Sequence, residues 1–188
     1  MSSQPKTLLT VAEYLAIERD AEYKSEYYKG EVFAFAGASL RHNRITANVL
    51  ANIHSQLRRG PCSAFTSDLR ISIPQTPHYA YADAVIVCGQ PKLDDDSSDN
   101  LLNPTLIVEV LSPSTERFDR GKKFESYQRI ASLLEYVLVS QDMPRVEQFL
   151  RQQDGRWLYS ETSDNGPINL TSIDCELSLN DIYDKVEF

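Results

Sequence analysis

Tyr81–Cys88 reads YADAVIVC and Pro104–Leu111 reads PTLIVEVL. Both are apolar on two faces and rich in β-branched residues, so both predict strands buried inside a sheet covered by helices. Each also carries one acid where an acid is costly. Asp83 shares a face with Tyr81, Val85 and Val87, and Glu109 shares one with Ile107 and Leu111. An ionised carboxylate in such surroundings needs a partner or a metal ion. Two that converge raise each other's proton affinity unless a cation lies between them. Hard oxygen ligands of this kind suit Mg²⁺ or Mn²⁺. Either acid alone has a plainer reading, as a carboxylate hydrogen-bonded to backbone at a strand end. Two of them on neighbouring strands favour a shared site.

The flanking chain supplies helices for both faces. Arg41–Arg59 places Ile45, Val49, Ile53 and Leu57 at a four-residue repeat, and Gly60-Pro61 stops the helix. Cys62–Ile73 predicts one strand, with Phe65, Leu69, Ile71 and Ile73 on one side and Asp68, Arg70 and Ser72 on the other. Asp119–Ala131 has helical spacing, with Phe124 and Tyr127 inward, and Leu134–Val139 predicts another strand. Upstream, Thr10–Glu18 opens with a capping box, Thr10 with Glu13 three residues on. Lys29-Gly30 then turns an aromatic hairpin. Downstream, strands are expected at Arg145–Leu150, Arg156–Glu161 and Ile168–Leu170, the first two joined at Asp154-Gly155, with a short helix at Ser178–Tyr183. The expected order is an αβββαβ core on a mixed central sheet, with an N-terminal helix and hairpin and a C-terminal β extension. The 188 residues suit one α/β domain, with its core over about residues 41–140 and the extension over about 145–188.

Lys123 is the third residue of interest. It precedes Tyr127 by four positions and borders the apolar face of its helix, whereas Lys122 aligns with Ser126 and Arg129 toward solvent. An amine there stabilises charge on an attacked phosphate or orients a water nucleophile. The plainer alternative is a lysine whose amine snorkels to water. His42 opens the long helix, as a phosphate contact or as a surface histidine. Asp68 and Arg70 either line a cleft or pair with each other. Glu26 and Glu31 flank the hairpin turn, as a second metal site or as partners of Lys24 and Lys29.

Bulk properties narrow the field. The formal net charge is −8, which disfavours tight nonspecific nucleic-acid binding without excluding a local basic cleft. The acidic run Asp94–Asp99 reads as a solvated loop. No apolar run approaches the ~20 residues that span a bilayer, and no secretory pattern opens the chain. Cys62, Cys88 and Cys175 form no CxxC pair and are read as reduced thiols in a cytoplasmic protein.

The segments EYYKGEVFAFAGAS-x-x-H, YADAVIV, LIVEVLSPST and FDRGKKFESY resemble the Uma-two family of endonucleases, within the PD-(D/E)XK restriction-endonuclease-like superfamily. The resemblance runs from about Leu9 to the C-terminus and is most distinctive at EVLSPST and the following D-x-G-x-K-x-x-x-Y. It implies phosphodiester hydrolysis at a metal site in the mouth of the αβββαβ core. Carried over by position, Asp83, Glu109 and Lys123 are the catalytic set, and Asp83, Glu109 and the Val110 carbonyl hold Mg²⁺ or Mn²⁺. His42 and Arg70 are the expected substrate contacts, the substrate is expected to be a nucleic acid, in the first place DNA, and a homodimer is in keeping with the resemblance. Two departures stand out: Ala82 precedes the first acid in place of proline, and Leu111 replaces the lysine expected two residues after Glu109. The resemblance puts the substitute lysine on the next helix, where Lys123 fits. The alternative is an inactive nuclease-fold module that binds nucleic acid or a protein partner.

Overall fold

In the computed structural model, residues 8–35, 37–73, 75–94, 99–164 and 166–188 are described. The start of the chain through Thr7, and residues 95–98 of the acidic run, lie outside them.

Helix Val11–Asp20 (α1) is capped as its sequence predicts. Thr10 Oγ1 accepts the Glu13 N–H, and the Glu13 carboxylate accepts the Thr10 N–H. Strands Ser25–Tyr28 (β1) and Glu31–Ala34 (β2) form the hairpin, turning where Lys29 and Gly30 both adopt positive φ. Helix Leu40–Leu57 (α2) buries the four residues of its apolar repeat, Ile45, Val49, Ile53 and Leu57.

The next two segments depart from expectation. The predicted strand 62–73 is two strands, Cys62–Thr66 (β3) and Arg70–Ile73 (β4). The predicted strand 81–88 is likewise split between His78–Tyr81 (β5) and Ala84–Cys88 (β6). β3 pairs with β6 through Thr66↔Ala84, and β4 pairs with β5 from Arg70↔Tyr81 onward. Residues 67–69 thus oppose only Ala82 and Asp83, a bulge of one extra residue. A bulge bends and twists a ladder and re-aims the side chains beside it. Here the bent hairpin passes from one sheet to another, and Asp83 sits at the corner.

Short strand Asn100–Leu101 (β7) completes a five-stranded sheet in the order β2-β1-β5-β4-β7. Strands Leu106–Leu111 (β8), Glu135–Ser140 (β9), Val146–Arg151 (β10) and Trp157–Thr162 (β11) join β3 and β6 in a six-stranded sheet, ordered β11-β10-β9-β8-β6-β3. β8 and β9 run parallel and the other pairs antiparallel, so this is the mixed central sheet. On one of its faces, α2 packs with Ala84, Ile86, Leu106, Val108, Val110, Val137 and Val139. On the other, Val85, Val87, Ile107, Leu111 and Tyr136 pack with Phe124, Tyr127 and the five-stranded sheet. Both faces of β6 and β8 are buried, as their two-sided apolar sequences require. Strands Ile168–Leu170 (β12) and Cys175–Leu177 (β13) and helix Leu179–Ile182 (α5) close over the α2 face.

The segment after β8 is helical from Glu116–Phe118 (α3) to Phe124–Tyr127 (α4), joined by a π-helical stretch, Asp119–Lys123. The wider π turn leaves Asp119 and Lys123 buried on the same side as Phe124 and Tyr127.

Cys62 and Cys88 are directly opposed between β3 and β6 and form a disulfide. This corrects the reading of all three cysteines as free thiols. Cys175 alone remains a free, buried thiol. No helix among the described residues is long and apolar enough to cross a membrane.

Candidate active site

The β6–β8 register pairs Ala84 with Val108 and Val85 with Ile107. Continued by one step, it brings Asp83 opposite Glu109. Asp83 Oδ2 accepts the Val110 N–H at 2.7 Å and lies 3.3 Å from His42 Nε2. His42 stands in the first turn of α2, where the Ser39 hydroxyl caps the helix by accepting the His42 N–H. Burial alone would lower the His42 imidazole, but the hydrogen bond and charge of Asp83 outweigh it and hold the ring above its ordinary range.

Glu109 is 4% exposed. Its Oε1 lies 2.9 Å from Lys123 Nζ and accepts the Tyr127 hydroxyl at 3.2 Å. The Lys123 amine also lies 2.9 Å from Glu26 Oε1 and 3.6 Å from Asp119 Oδ1, and it donates to the Tyr81 carbonyl at 2.9 Å. Burial would lower this amine. The carboxylates of Glu109 and Glu26 overcome that and hold it charged, well above the usual lysine range. Burial pushes Glu109 well up, against the pull of Lys123, and Asp119, Asp83 and Glu26 add to the rise. Three acids, Glu109, Glu26 and Asp119, therefore share one buried lysine, which leaves a surplus of negative charge around it.

Glu26, Asp83, Glu109, Val110, His42, Asp119 and Lys123 all line one cleft of about 830 Å³. Asp83, Glu109 and Lys123 thus come together around one space, as does His42. Arg70 does not. It is buried on the five-stranded sheet, where it bonds Asn100, the Tyr81 hydroxyl at 3.2 Å and Asp99 at 2.8 Å, and it is not among the residues that line the cleft. Asp68 pairs with Lys24 instead of Arg70. Glu26 faces Lys123, not Lys24 or Lys29, and accepts the Tyr81 N–H at 3.0 Å. Asp119 opens the D-x-G-x-K-x-x-x-Y segment but is not among the site residues expected from the sequence. The available signal was its i, i+4 spacing to Lys123, which reads as an ordinary surface pair until the helix is seen buried.

Among the described residues no three His, Cys, Asp or Glu side chains form a ready-made metal cage. The donor set nevertheless suits a hard cation. Mg²⁺ is commonly held by one or two carboxylates and completes its shell with water and phosphate. The uncompensated acids around Lys123 are the groups a dication would neutralise.

The chain is 40% identical over 154 residues to an uncharacterized protein, sll1609, of Synechocystis sp., covering 82% of this chain and 87% of the relative. It is 34% identical over 186 residues to a second Synechocystis uncharacterized protein, slr1290, covering 99% and 97%. Its fold is similar to a crystal structure described as a "putative nuclease belonging to DUF820" from Anabaena variabilis, with a TM-score of 0.76 at 18% identity over 93% of this chain and 97% of that one. The model of the Uma2 family, described as "Putative restriction endonuclease", matches residues 11–180, and the chain belongs to that family.

Proposed function

We propose that the chain hydrolyses nucleic-acid phosphodiester bonds with the help of a divalent cation, and that Asp83, Glu109 and Lys123 do the chemistry. One observation carries this reading. Two acids from neighbouring strands of the central sheet meet at one cleft, with a charged amine 2.9 Å from one of them. Membership of a family described as restriction endonucleases supports the reaction class.

Asp83, Glu109 and the Val110 carbonyl would hold Mg²⁺ or Mn²⁺, which supplies a Lewis acid for the phosphate and lowers the pKa of a bound water. Asp83 is set for this by its hydrogen bond from Val110, which fixes one oxygen and orients the other. His42 buttresses the same carboxylate. Lys123 brings a fixed positive charge for the extra negative charge on the phosphate in the transition state. Glu26 and Asp119 are positioning residues that keep the amine in place and charged.

The test is cleavage of single-stranded, duplex and branched DNA, and of RNA, by purified protein with Mg²⁺ or Mn²⁺. Asp83→Asn is expected to lose at least about 100-fold in rate, and cleavage at the parental rate would reject the site. A second reading, an inactive module that binds nucleic acid or protein, has one observation in its favour: the Lys123 amine is already engaged by Glu26, Glu109 and the Tyr81 carbonyl. Calorimetry separates the two, because the module reading expects no Mg²⁺ or Mn²⁺ binding at millimolar concentration.

A further inference from the structure

The cleft is also walled by aromatic rings, Phe33 and Phe35 on the hairpin and Phe118 at the end of α3, with Phe33 directly across the ladder from Glu26. Phe35 continues the β1–β2 ladder beyond β2, its N–H donating to the Lys24 carbonyl at 2.9 Å. Phe33 and Phe35 are alternate residues of one extended segment, so they share a side of it, about 7 Å apart. Each is 42% exposed. Phe33 lies beside the Phe118 ring at 6.1 Å, and Phe35 meets the Tyr81 ring edge to face at 6.0 Å with the Lys24 amine over it at 5.7 Å.

Charge decides what such a wall can take. The lysines that line the cleft are Lys24 and Lys123. Lys123 is buried among carboxylates, and Lys24 is paired with Asp68 at 2.9 Å and bonded to the Ser67 carbonyl. Proteins that grip a duplex do so by neutralising many phosphates with Lys and Arg. Among the described residues this cleft offers no such row, and the net charge of −8 adds repulsion. The face of an unpaired base is neutral and stacks on an aromatic ring whatever its identity.

Resting on the nuclease reading of the same cleft, we infer that the substrate is a single-stranded or unpaired segment of nucleic acid, whose bases stack on Phe33 and Phe35 while its backbone reaches Asp83 and Glu109. Affinity would then come from stacking more than from ion pairs. A paired duplex keeps its base faces covered and gains nothing from these rings.

The experiment is fluorescence anisotropy in Mg²⁺ with full-length protein carrying Glu109→Gln. The probes are a labelled single-stranded 15-mer and the same strand in a blunt duplex. The single strand is expected to bind at least about ten-fold more tightly. Phe35→Ala should weaken it roughly 5- to 100-fold and Phe35→Trp should restore it. Both positions are exposed, so thermal melting of the variants should match that of the parent. Equal or tighter duplex binding overturns the inference, as does single-strand binding unchanged in the Phe33→Ala, Phe35→Ala double variant. Cleavage by the chain without the Glu109 change is measured alongside. Stacking-dependent binding with no cleavage leaves this inference standing and removes the nuclease reading. Cleavage indifferent to Phe33 and Phe35 does the reverse.

Discussion

The amine of Lys123 stands 2.9 Å from Oε1 of Glu109, with both side chains sealed from solvent. Removing one member of a buried pair leaves the other's charge uncompensated, which costs about 3–5 kcal/mol. Lys123→Met should therefore lower stability by that order in urea titration, because Glu26 and Asp119 lose their counter-charge together with Glu109. Lys123→Arg keeps the charge but must fit a larger planar group, and should lose cleavage while retaining more stability than the methionine variant.

Glu109→Gln separates stability from activity. The folded protein holds the Glu109 carboxyl well above its ordinary range because of burial. A raised acid contributes stability that is present at low pH and is lost as pH rises through its folded pKa. Glutamine cannot ionise, and Lys123 still has Glu26 and Asp119. The variant should melt at or above the parental temperature at pH 8. It should cleave at least about 100-fold more slowly and bind Mn²⁺ more weakly in calorimetry. A large fall in melting temperature would contradict the charge surplus described above.

His78 predicts an acid-sensitive stability. It is fully buried, and neither ring nitrogen has a hydrogen-bond partner among the described residues. Tyr28, Phe118 and Tyr127 surround the ring. Burial, aided by the charge of Lys123, lowers its pKa to about 3. A depressed pKa contributes stability above the unfolded value, lost as pH falls toward the folded one. The window therefore runs from about 6.5 down to about 3, with a slope near 1.4 kcal/mol per pH unit. His78→Phe should flatten the dependence of melting temperature on pH between 6 and 5. An unchanged slope would show that His78 takes up its proton in the native state.

The Cys62–Cys88 disulfide links β3 to β6 at a separation of 26 residues. Loop-closure entropy sets its contribution at about 3.5 kcal/mol. Dithiothreitol should lower the melting temperature of the parent and leave that of a Cys62→Ser, Cys88→Ser variant unchanged.

Local periodicity was enough to locate most elements. The four-residue repeat of α2, the Thr10–Glu13 capping box and the two-sided strands around Val85 and Val108 follow from steric and hydrophobic rules that act over a few residues. The same alternation put Asp83 and Glu109 on one side of their strands, and helical spacing put Lys123 on the inner edge of its helix. It could not place the bulge at residues 67–69, because an apolar run reads alike whether it continues or turns a corner into another sheet. It also could not assign partners. Arg70 belongs to Asp99 and Asn100, Glu26 and Asp119 belong to Lys123, and Cys62 belongs to Cys88. Each of these choices except Asp119 depends on register between strands or helices distant in the chain. That register is fixed by packing both faces of the central sheet at once, and a burial pattern along the chain does not encode it.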